Sequence, residues 1–464
     1  MWPLRLAAAA LLQSQVLLVG ARDDDGFDVV RTALRADIDR HVFPGCSALV
    51  GLRNGSVLFH EAFGNSVYMS DPDPPAGPNE PVSEATRFDL ASLTKVIATT
   101  TAVMQLYQRG LLGLDEPIWR ILGTGYATHG KEAITVRNLL LHNAGLPPDP
   151  SPNYWDPAFG CPQTLNPRGP LEDFSCQQRI YESVLEQTLI NPVGAMFVYS
   201  DLSMITMMFV VGAKVREHRL VELHDLLPSC AAGNSGGGAL QCWYEAFVRA
   251  AVVQPYKMTS SGFLPPAPEW PSIPPTWNDT LGYAPPGGPP YRRRVLQGQV
   301  SDGNAYALGG IAGHAGFFSD ASDLFLLLSA LMQARVEPGP PAAAAAAAFD
   351  VDTAPPNTWL VNGTTVRKFT TVINQTQSSR ALGWDTNDYM ANDYRGCGNL
   401  SALTFTHTGY TGTQVCNDVE RGLTTILLTN RVYPRANEES LHTIHSARQE
   451  FNNLVKEIFD KRFG

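Results

Sequence analysis

The period of the hydrophobic positions changes along this 464-residue chain and separates sheet-forming ends from a helix-forming middle. Near the start, Phe27, Val30, Leu34 and Ile38 recur at helical spacing, which predicts an amphipathic helix that ends at a Pro-Gly pair. The next runs, SALVGL and SVLFHEAFG, have strand character and flank Arg53-Asn54-Gly55. Asn-Gly between two apolar runs predicts a β-hairpin.

Strand patterns return only near the C-terminus. The runs LTFTHTG, GTQVCND and LTTILLTNR follow Leu403, and a helix is predicted over about residues 439–459. Between the two ends, a long helix is predicted from Ser92 to Leu112, stopped by Gly110. Further helical pattern follows, interrupted by two proline-rich loops. These loops contain Tyr154, Trp155, Trp270, Trp277 and Tyr283, and such loops usually line clefts or run over surfaces.

This distribution predicts an α/β protein of the α+β type. A central antiparallel sheet would be built from both termini and flanked by helices, with a mainly helical lobe inserted. We expect the sheet lobe over about residues 22–90 and 300–464, and the helical lobe over about 91–299.

The first 21 residues read as a signal peptide, with Arg5 before an apolar stretch and small residues before a cut at Arg22. The alternative is an uncleaved anchor. Because no later segment is apolar for long enough to span a bilayer, we predict a secreted or extracytoplasmic protein with no stable membrane span.

Seven cysteines suit an oxidising compartment. Six of them form three local pairs, interpreted as disulfides although spacing leaves the connectivity open: Cys161–Cys176, Cys230–Cys242 and Cys397–Cys416. Cys46, inside an apolar run, is predicted to be a buried thiol. Five glycosylation sequons predict surface positions: Asn54, Asn278, Asn362, Asn374 and Asn399.

The acidic composition limits the classes of partner that the protein can bind. The formal net charge is −10, which disfavours nucleic acid, and the short basic run Arg292–Arg294 is interpreted as solvated surface. No Cys/His spacing fits zinc, so neither a metal nor another cofactor is expected. The partner expected is a small ester or peptide-like substrate, and the oligomeric state is left open.

Three short motifs carry the candidate chemistry. In Ser92-Leu93-Thr94-Lys95, the lysine lies one helical turn from the serine and, if burial and nearby charge keep it neutral, is a base for the hydroxyl. The alternative for this motif alone is a helix N-cap with an exposed lysine. In Tyr199-Ser200-Asp201, the phenol is a candidate proton carrier and Asp201 a partner for Lys95 or the substrate.

The third motif is His407-Thr408-Gly409, at the end of a predicted strand and followed by Tyr410. The strand edge would hold an acyl substrate, and the glycine would let that substrate approach closely. The backbone N–H groups of Tyr410 and Ser92 would form an oxyanion hole. Alternatively, the tyrosine and the histidine are ordinary core or strand residues.

The order of these motifs resembles that of the serine beta-lactamase-related family, which includes class C beta-lactamases, penicillin-binding proteins, DD-peptidases and esterases. FDLASLTKV, NLLLHNAGLP, FVYSDLS, NAYALGGIAGHAGFFS, RALGWD and HTGYTGTQV also look like family blocks, so the resemblance covers about residues 28–456. It implies that Ser92 is the acylated nucleophile and Lys95 the general base, with Tyr199 sharing that role. Asp201, His407, Thr408, Gly409 and Tyr410 would then bind substrate.

Two departures from the family pattern bear on the substrate. Asp201 stands where the family more often has Asn, and His407 replaces a Lys. Both reduce the positive charge available to a substrate carboxylate, which puts beta-lactamase activity in doubt and favours an ester or neutral amide. His142 and His314 are interpreted as structural hydrogen-bonding residues. The main alternatives to a hydrolase of this kind are a non-catalytic member that binds a ligand in the same cleft, and a transpeptidase or D-amino-acid aminopeptidase.

Overall fold

A computed structural model describes the chain over residues 25–69, 79–161, 174–232, 236–282, 291–337, 360–388, 396–435 and 438–464. The predicted signal peptide, the alanine run at 342–348 and Tyr283 lie outside these residues.

Most α-helices of the described residues lie in the middle of the chain, between two groups of strands. The α-helices are α1 Asp28–Asp39, α2 Thr101–Gln108, α3 Ile118–Leu122, α4 Val136–Leu140, α5 Gln177–Glu186, α6 Asp201–Glu217, α7 Pro228–Ala231, α8 Leu240–Val248, α9 Gly303–Ala307, α10 Ala321–Val336, α11 Gly363–Phe369 and α12 Glu438–Phe463. The strands are β1 Gly45–Leu52, β2 Val57–Gly64, β3 Phe88–Asp89, β4 Gly262–Phe263, β5 Trp277–Asn278, β6 Val295–Leu296, β7 Phe317–Ser319, β8 Asp385–Thr386, β9 Phe405–Thr408, β10 Gln414–Asp418 and β11 Leu423–Thr429.

The main sheet has six antiparallel strands in the order β2-β1-β11-β10-β9-β8. The N-terminal hairpin β1–β2 lies beside the C-terminal strands because β1 pairs with β11, with Ala48 opposite Leu427. Two smaller sheets, β3-β7-β4 and β5-β6, lie outside it. The predicted α+β class and the sheet built from both termini are therefore confirmed.

Side chains of the central strands alternate between two hydrophobic cores, as a period of two requires. Ala48 and Val50 of β1 belong to the smaller core, together with Phe27 of α1 and Phe451 of α12. Leu49 belongs to the larger core, which includes α10 and the buried helices of the middle segment. Helices thus cover both faces of the sheet.

The predicted long helix from Ser92 is interrupted, which corrects the sequence prediction. The chain forms a 3₁₀ turn over Ala91–Leu93 and a π-helical segment over Lys95–Thr100 before α2 begins. The hydroxyl of Thr100 donates to the carbonyl of Lys95, five residues earlier, at 2.7 Å. Side-chain hydroxyl groups that bond to carbonyls of the preceding turn favour such a distortion of the helix. The spacing of apolar residues does not reveal these bonds, so the sequence predicted a continuous helix.

The three predicted disulfides are present, and Cys46 is a buried free thiol. The prediction that every sequon lies at the surface is wrong for Asn278, which is buried and whose side chain accepts from the backbone of Thr280. Within the described residues, no helix combines the length and apolar character needed to cross a bilayer. The bounds of the two predicted lobes stay a prediction.

Candidate active site

Ser92 lies in a tight turn between strand β3 and the π-helical segment. The carboxylate of Asp89 accepts hydrogen bonds from the backbone N–H groups of Ala91, at 2.8 Å, and Ser301, at 2.6 Å. Ala91 has a positive φ of 46°, which non-glycine residues adopt at a cost. This turn presents the half-exposed Ser92 at a cavity, and burial raises the pKa of Asp89 to about 6 although both N–H groups oppose the shift.

Lys95 is fully buried beside the candidate nucleophile. Its Nζ lies 2.8 Å from Ser92 Oγ, 3.0 Å from the carbonyl oxygen of His314 and 2.7 Å from Asp201 Oδ1. The same nitrogen lies 4.9 Å from the centroid of the Tyr199 ring. The alternative of an exposed lysine behind a helix cap is therefore wrong, because Lys95 joins the first two sequence motifs.

The charge state of Lys95 differs from the prediction. Burial acts to lower its pKa, but the charge of Asp201 and the interactions with Tyr199 together outweigh burial, and the pKa is raised. A raised pKa favours the cationic form of Lys95 at neutral pH. Asp201, one of the partners that the sequence offered for Lys95, lies 2.7 Å from its Nζ, and a carboxylate at that distance favours the charged amine instead of the neutral one.

The second motif lies at the start of α6. Ser200 caps the helix by accepting from the N–H of Ser203 at 3.1 Å, and its own N–H donates to Nδ1 of His142 at 3.1 Å. These bonds direct Tyr199 and Asp201 towards Lys95. The ring of Tyr199 lies 4.9 Å from that of His142, centroid to centroid.

The third motif places His407 behind the phenol. The rings of Tyr199 and His407 are 6.1 Å apart, and Nδ1 of His407 lies 2.8 Å from the carbonyl oxygen of Thr408. A carbonyl only accepts, so Nδ1 carries the proton. Burial, followed by the charges of Arg380 and Lys95, holds the pKa of His407 well below its usual range. The predicted neutral histidine is thus supported.

Gly409 has a packing role that the sequence did not predict. A Cβ added there would lie 2.1 Å from Thr413 Oγ1 and 2.4 Å from the carbonyl oxygen of Leu90. The glycine therefore permits close packing of the β9–β10 turn on the segment before Ser92. Its role in the close approach of a substrate stays a prediction. Thr413 and Thr411 complete this contact by donating to the carbonyls of Leu90 and Asp89, at 3.0 and 2.8 Å.

The candidate site opens into a cavity of about 440 Å³. Four of the predicted site residues line it: Ser92, Tyr199, Asp201 and Tyr410. Lys95 and His407 lie directly behind them, whereas Thr408 and Gly409 hold the β9 end without lining the cavity. The three motifs, separated by more than three hundred positions in the chain, thus converge in one region.

Several lining residues were not assigned to the site from the sequence: Asp149, Trp155, Trp277, Asp302 and His314. Trp155 and Trp277 could have been found from the sequence, because aromatic residues in proline-rich loops often line clefts. Asp149 and Asp302 could not, because an aspartate is common in a proline-rich loop and at a helix N-cap. The interpretation of the basic run as solvated is wrong for Arg292, which is buried and donates to the carbonyl of Ser301 at 2.6 Å.

Both additional histidines make hydrogen bonds within the protein, as interpreted from the sequence, but His314 also lines the cavity. Its Nε2 lies 2.9 Å from Asp302 Oδ1. Asp201, Asp302 and His314 each offer a ligand atom within 4.8 Å of the others, which is the spacing of a cation site. The Lys95 ammonium already lies against Asp201 and opposes a metal ion there.

Residues 30–449 match the beta-lactamase family. The chain belongs to this family. Its relatives include a protein named D-alanyl-D-alanine carboxypeptidase from Escherichia coli K12, which is 24% identical over 90% of this chain and 86% of the relative. An N-acetylmuramyl-L-alanine amidase from Bacillus subtilis is 25% identical over 84% of this chain and 77% of the relative.

The solved structure of a hydrolase with promiscuous acyltransferase activity has the same fold. Its TM-score is 0.60 at 16% identity, and the match covers 92% of this chain and 98% of that chain. The predicted family resemblance is confirmed. Family and relatives together indicate a hydrolase of the serine beta-lactamase fold.

Proposed function

We propose that this beta-lactamase family member is a secreted serine hydrolase that forms a covalent acyl-enzyme on Ser92. The substrate is an ester or a peptide-like amide. The single observation that carries the proposal is the 2.8 Å separation between Ser92 Oγ and the Nζ of a fully buried lysine. A buried amine in hydrogen-bond contact with a hydroxyl is the arrangement that activates a serine nucleophile.

In the proposed first step, Ser92 Oγ attacks the substrate carbonyl and its proton passes to the Lys95–Tyr199 pair. The backbone N–H groups of Ser92 and Tyr410 donate to the developing oxyanion. Among the described residues, neither N–H group donates to a backbone acceptor outside the helices and strands. The tetrahedral intermediate collapses, the leaving group takes a proton from the same pair, and water later hydrolyses the Ser92 ester.

The raised pKa of Lys95 limits the routes by which the serine proton can be removed. A cationic lysine does not accept a proton, so either Lys95 first loses one, or a Tyr199 phenolate that Lys95 stabilises accepts the serine proton and becomes a neutral phenol. In both routes Asp201 determines how readily the pair accepts the proton, because its carboxylate contacts Nζ at 2.7 Å.

The site's charge favours an ester or amide without a carboxylate beside the scissile bond. His407 contributes no positive charge, because its pKa is lowered. The negative carboxylate of Asp201 lies near Ser92, since both side chains contact the Nζ of Lys95. Two curated relatives carry the names of a carboxypeptidase and an amidase, so hydrolysis of an amide is the shared chemistry. Secretion is supported by three disulfides and by the four sequons whose asparagines are not buried. The two-lobe division at about residues 90 and 300 belongs to the same proposal.

The test is labelling with a fluorophosphonate probe and a fluorescent penicillin. We expect the wild-type protein to form a fluorophosphonate adduct on Ser92, and Ser92→Ala to form none. Ester turnover should fall by about 10³-fold or more in Ser92→Ala, as for loss of a catalytic nucleophile. Equal labelling of the two proteins would refute the proposal. Adduct with the penicillin as well would show that a carboxylate is accepted.

A second candidate is a non-catalytic member that binds a ligand in this cavity, and the cationic resting state of Lys95 favours it. The two candidates differ in turnover. Hydrolysis of a nitrophenyl ester that is lost in both Ser92→Ala and Lys95→Met supports the enzyme, whereas no hydrolysis above the Ser92→Ala background supports binding only.

A further inference from the structure

A buried carboxyl group close to the nucleophile has no part in the proposed reaction. Asp89, the last residue of β3, is 2% exposed and is not among the described residues that line the cavity. Its two carboxylate oxygens accept from different segments of the chain. Oδ1 accepts from the backbone N–H of Ala91 at 2.8 Å, and Oδ2 accepts from that of Ser301 at 2.6 Å. The fold thus places an ionisable group where a neutral side chain is easier to bury.

Asp89 joins three parts of the cavity wall. Ala91 and Ser301, which donate to its carboxylate, both line the cavity. Its backbone carbonyl accepts from the hydroxyl of Thr411, a third lining residue, at 2.8 Å. Each of these three residues is next in the chain to another residue of the cavity wall. One residue outside the cavity therefore fixes the relative positions of the segments that form it.

The bond from the Ala91 N–H holds a strained turn in place. Ala91 has a φ of 46°, a left-handed conformation that a residue with a Cβ disfavours. Such a conformation persists only where the surrounding structure determines it. The peptide that follows Ala91 carries the N–H of Ser92, which is one of the two proposed oxyanion donors. The direction of this N–H depends on the backbone angles of Ala91, and so on the bond to Asp89.

The two hydrogen bonds need the ionised form of Asp89. A carboxylate accepts at both oxygens, whereas in the neutral acid one oxygen carries a proton that faces an N–H group. Burial raises the pKa of Asp89 to about 6, against the effect of the two N–H bonds. Of the nearby charges, Asp302 also raises this pKa and Arg292 lowers it. Asp89 is therefore ionised at pH 7.5 and largely neutral at pH 5.

Building on the proposed hydrolase function, we infer that Asp89 is a positioning residue for the acylation of Ser92. Its carboxylate, bonded to Ala91 and Ser301 at once, holds the Ser92 N–H in the direction of the developing oxyanion and fixes the Ser301 side of the cavity against it. Asp89 touches no reacting atom, and the bonds that form and break are those of the proposed acylation. Protonation of Asp89 releases one of the two segments and slows that step.

The first test replaces Asp89 by Asn, which has the shape of the neutral acid at every pH. The rate of fluorophosphonate labelling is measured from pH 5 to pH 8, and the ratio of wild type to Asp89→Asn cancels the groups that titrate in both proteins. We expect a ratio of about tenfold above pH 7, the effect of one charge-assisted hydrogen bond lost from the transition state. The ratio should fall towards one at pH 5, with a midpoint at about pH 6. With a nitrophenyl ester the loss should appear in kcat, because the oxyanion exists only in the transition state.

Asp323→Asn is the matched control. Asp323 is also buried, accepts from the backbone N–H of Ser260 at 2.7 Å, and has a pKa that burial raises to about 6. Neither Asp323 nor Ser260 is among the described residues that line the cavity. Asp39→Asn, an exposed aspartate of α1, controls for the loss of one charge. The ratio of wild type to either control should stay near one at every pH.

Ala91→Gly is a second, independent variant, because glycine adopts the positive φ without strain and depends less on the Asp89 bond. Its labelling rate should fall less between pH 7.5 and pH 5 than that of wild type, and this comparison decides if Asp89→Asn does not fold. A wild-type to Asp89→Asn ratio that is flat with pH, or equal acid losses in Ala91→Gly and wild type, overturns the inference while Ser92-dependent labelling upholds the proposed function. Absence of Ser92-dependent labelling refutes both.

Discussion

Asp201 shows how one side chain sets the chemistry of its neighbours. Its carboxylate lies 2.7 Å from the Nζ of a fully buried lysine, and its charge is the largest of the influences that raise the pKa of Lys95 against burial. An asparagine at this position, as in the family pattern described from the sequence, would remove that charge. The carboxylate of Asp201 thus affects both the protonation of Lys95 and the net charge that a substrate meets in the site.

Replacing Asp201 by Asn should lower the pKa of Lys95, because the substitution removes the close opposite charge that raises it. If deprotonated Lys95 activates Ser92, the rate of fluorophosphonate labelling should rise at a correspondingly lower pH in Asp201→Asn than in wild type. The measurement is the labelling rate against pH, with Asp39→Asn as control. Coincident pH profiles for Asp201→Asn and wild type would exclude this role.

At the scale of elements, the site depends on the contact between the Ser92 turn and the β9–β10 turn. Gly409 lies where any Cβ would meet the carbonyl oxygen of Leu90, and Thr411 donates to the carbonyl of Asp89 at 2.8 Å. The same Asp89 carboxylate accepts from Ala91 and Ser301. Three chain segments are therefore fixed to one another around the candidate nucleophile and the predicted oxyanion hole.

Gly409→Ala should disrupt that contact. We expect a loss of about 1–3 kcal/mol in unfolding free energy, typical of overpacking, and a larger relative loss of Ser92 labelling. Gly262→Ala is the matched control, because nothing lies within 4 Å of a Cβ added there. Thermal unfolding and labelling rate are measured for both. An unchanged labelling rate in a folded Gly409→Ala protein would separate the turn contact from the activity.

At the scale of the whole molecule, two cores on opposite faces of one sheet join the chain ends. The smaller core contains residues from α1, the sheet and α12, and includes Cys46 and the Cys397–Cys416 disulfide. The other two disulfides lie in the larger core beside the helical middle segment. Each disulfide typically contributes about 2–5 kcal/mol to a protein of this kind.

Alkylation followed by mass spectrometry tests this cysteine arrangement. We expect no cysteine to react with iodoacetamide in the native, unreduced protein, because burial raises the pKa of Cys46 and shields its thiol. Unfolding without reductant should expose this one thiol, and reduction should expose the other six. Rapid alkylation of Cys46 in the native protein, or of any paired cysteine before reduction, would contradict the arrangement.

The sequence determined the local features of this protein. Alternation and helical spacing predicted the hairpin, the C-terminal strands and the first and last helices, since each follows from contacts between residues close in the chain. Motif order predicted the family, and short cysteine spacing predicted the disulfides. The π-helical segment was not predicted, because a hydroxyl bond to a carbonyl five residues away cannot be seen in the spacing of apolar residues.

Only the tertiary structure decided the charges of the site. The ion pair between Lys95 and Asp201, the burial of His407 and the gathering of Asp149 and Asp302 at one cavity involve residues far apart in the chain. A pKa or a ligand preference depends on distance and on water exclusion in three dimensions, and neither quantity is written in the order of the residues.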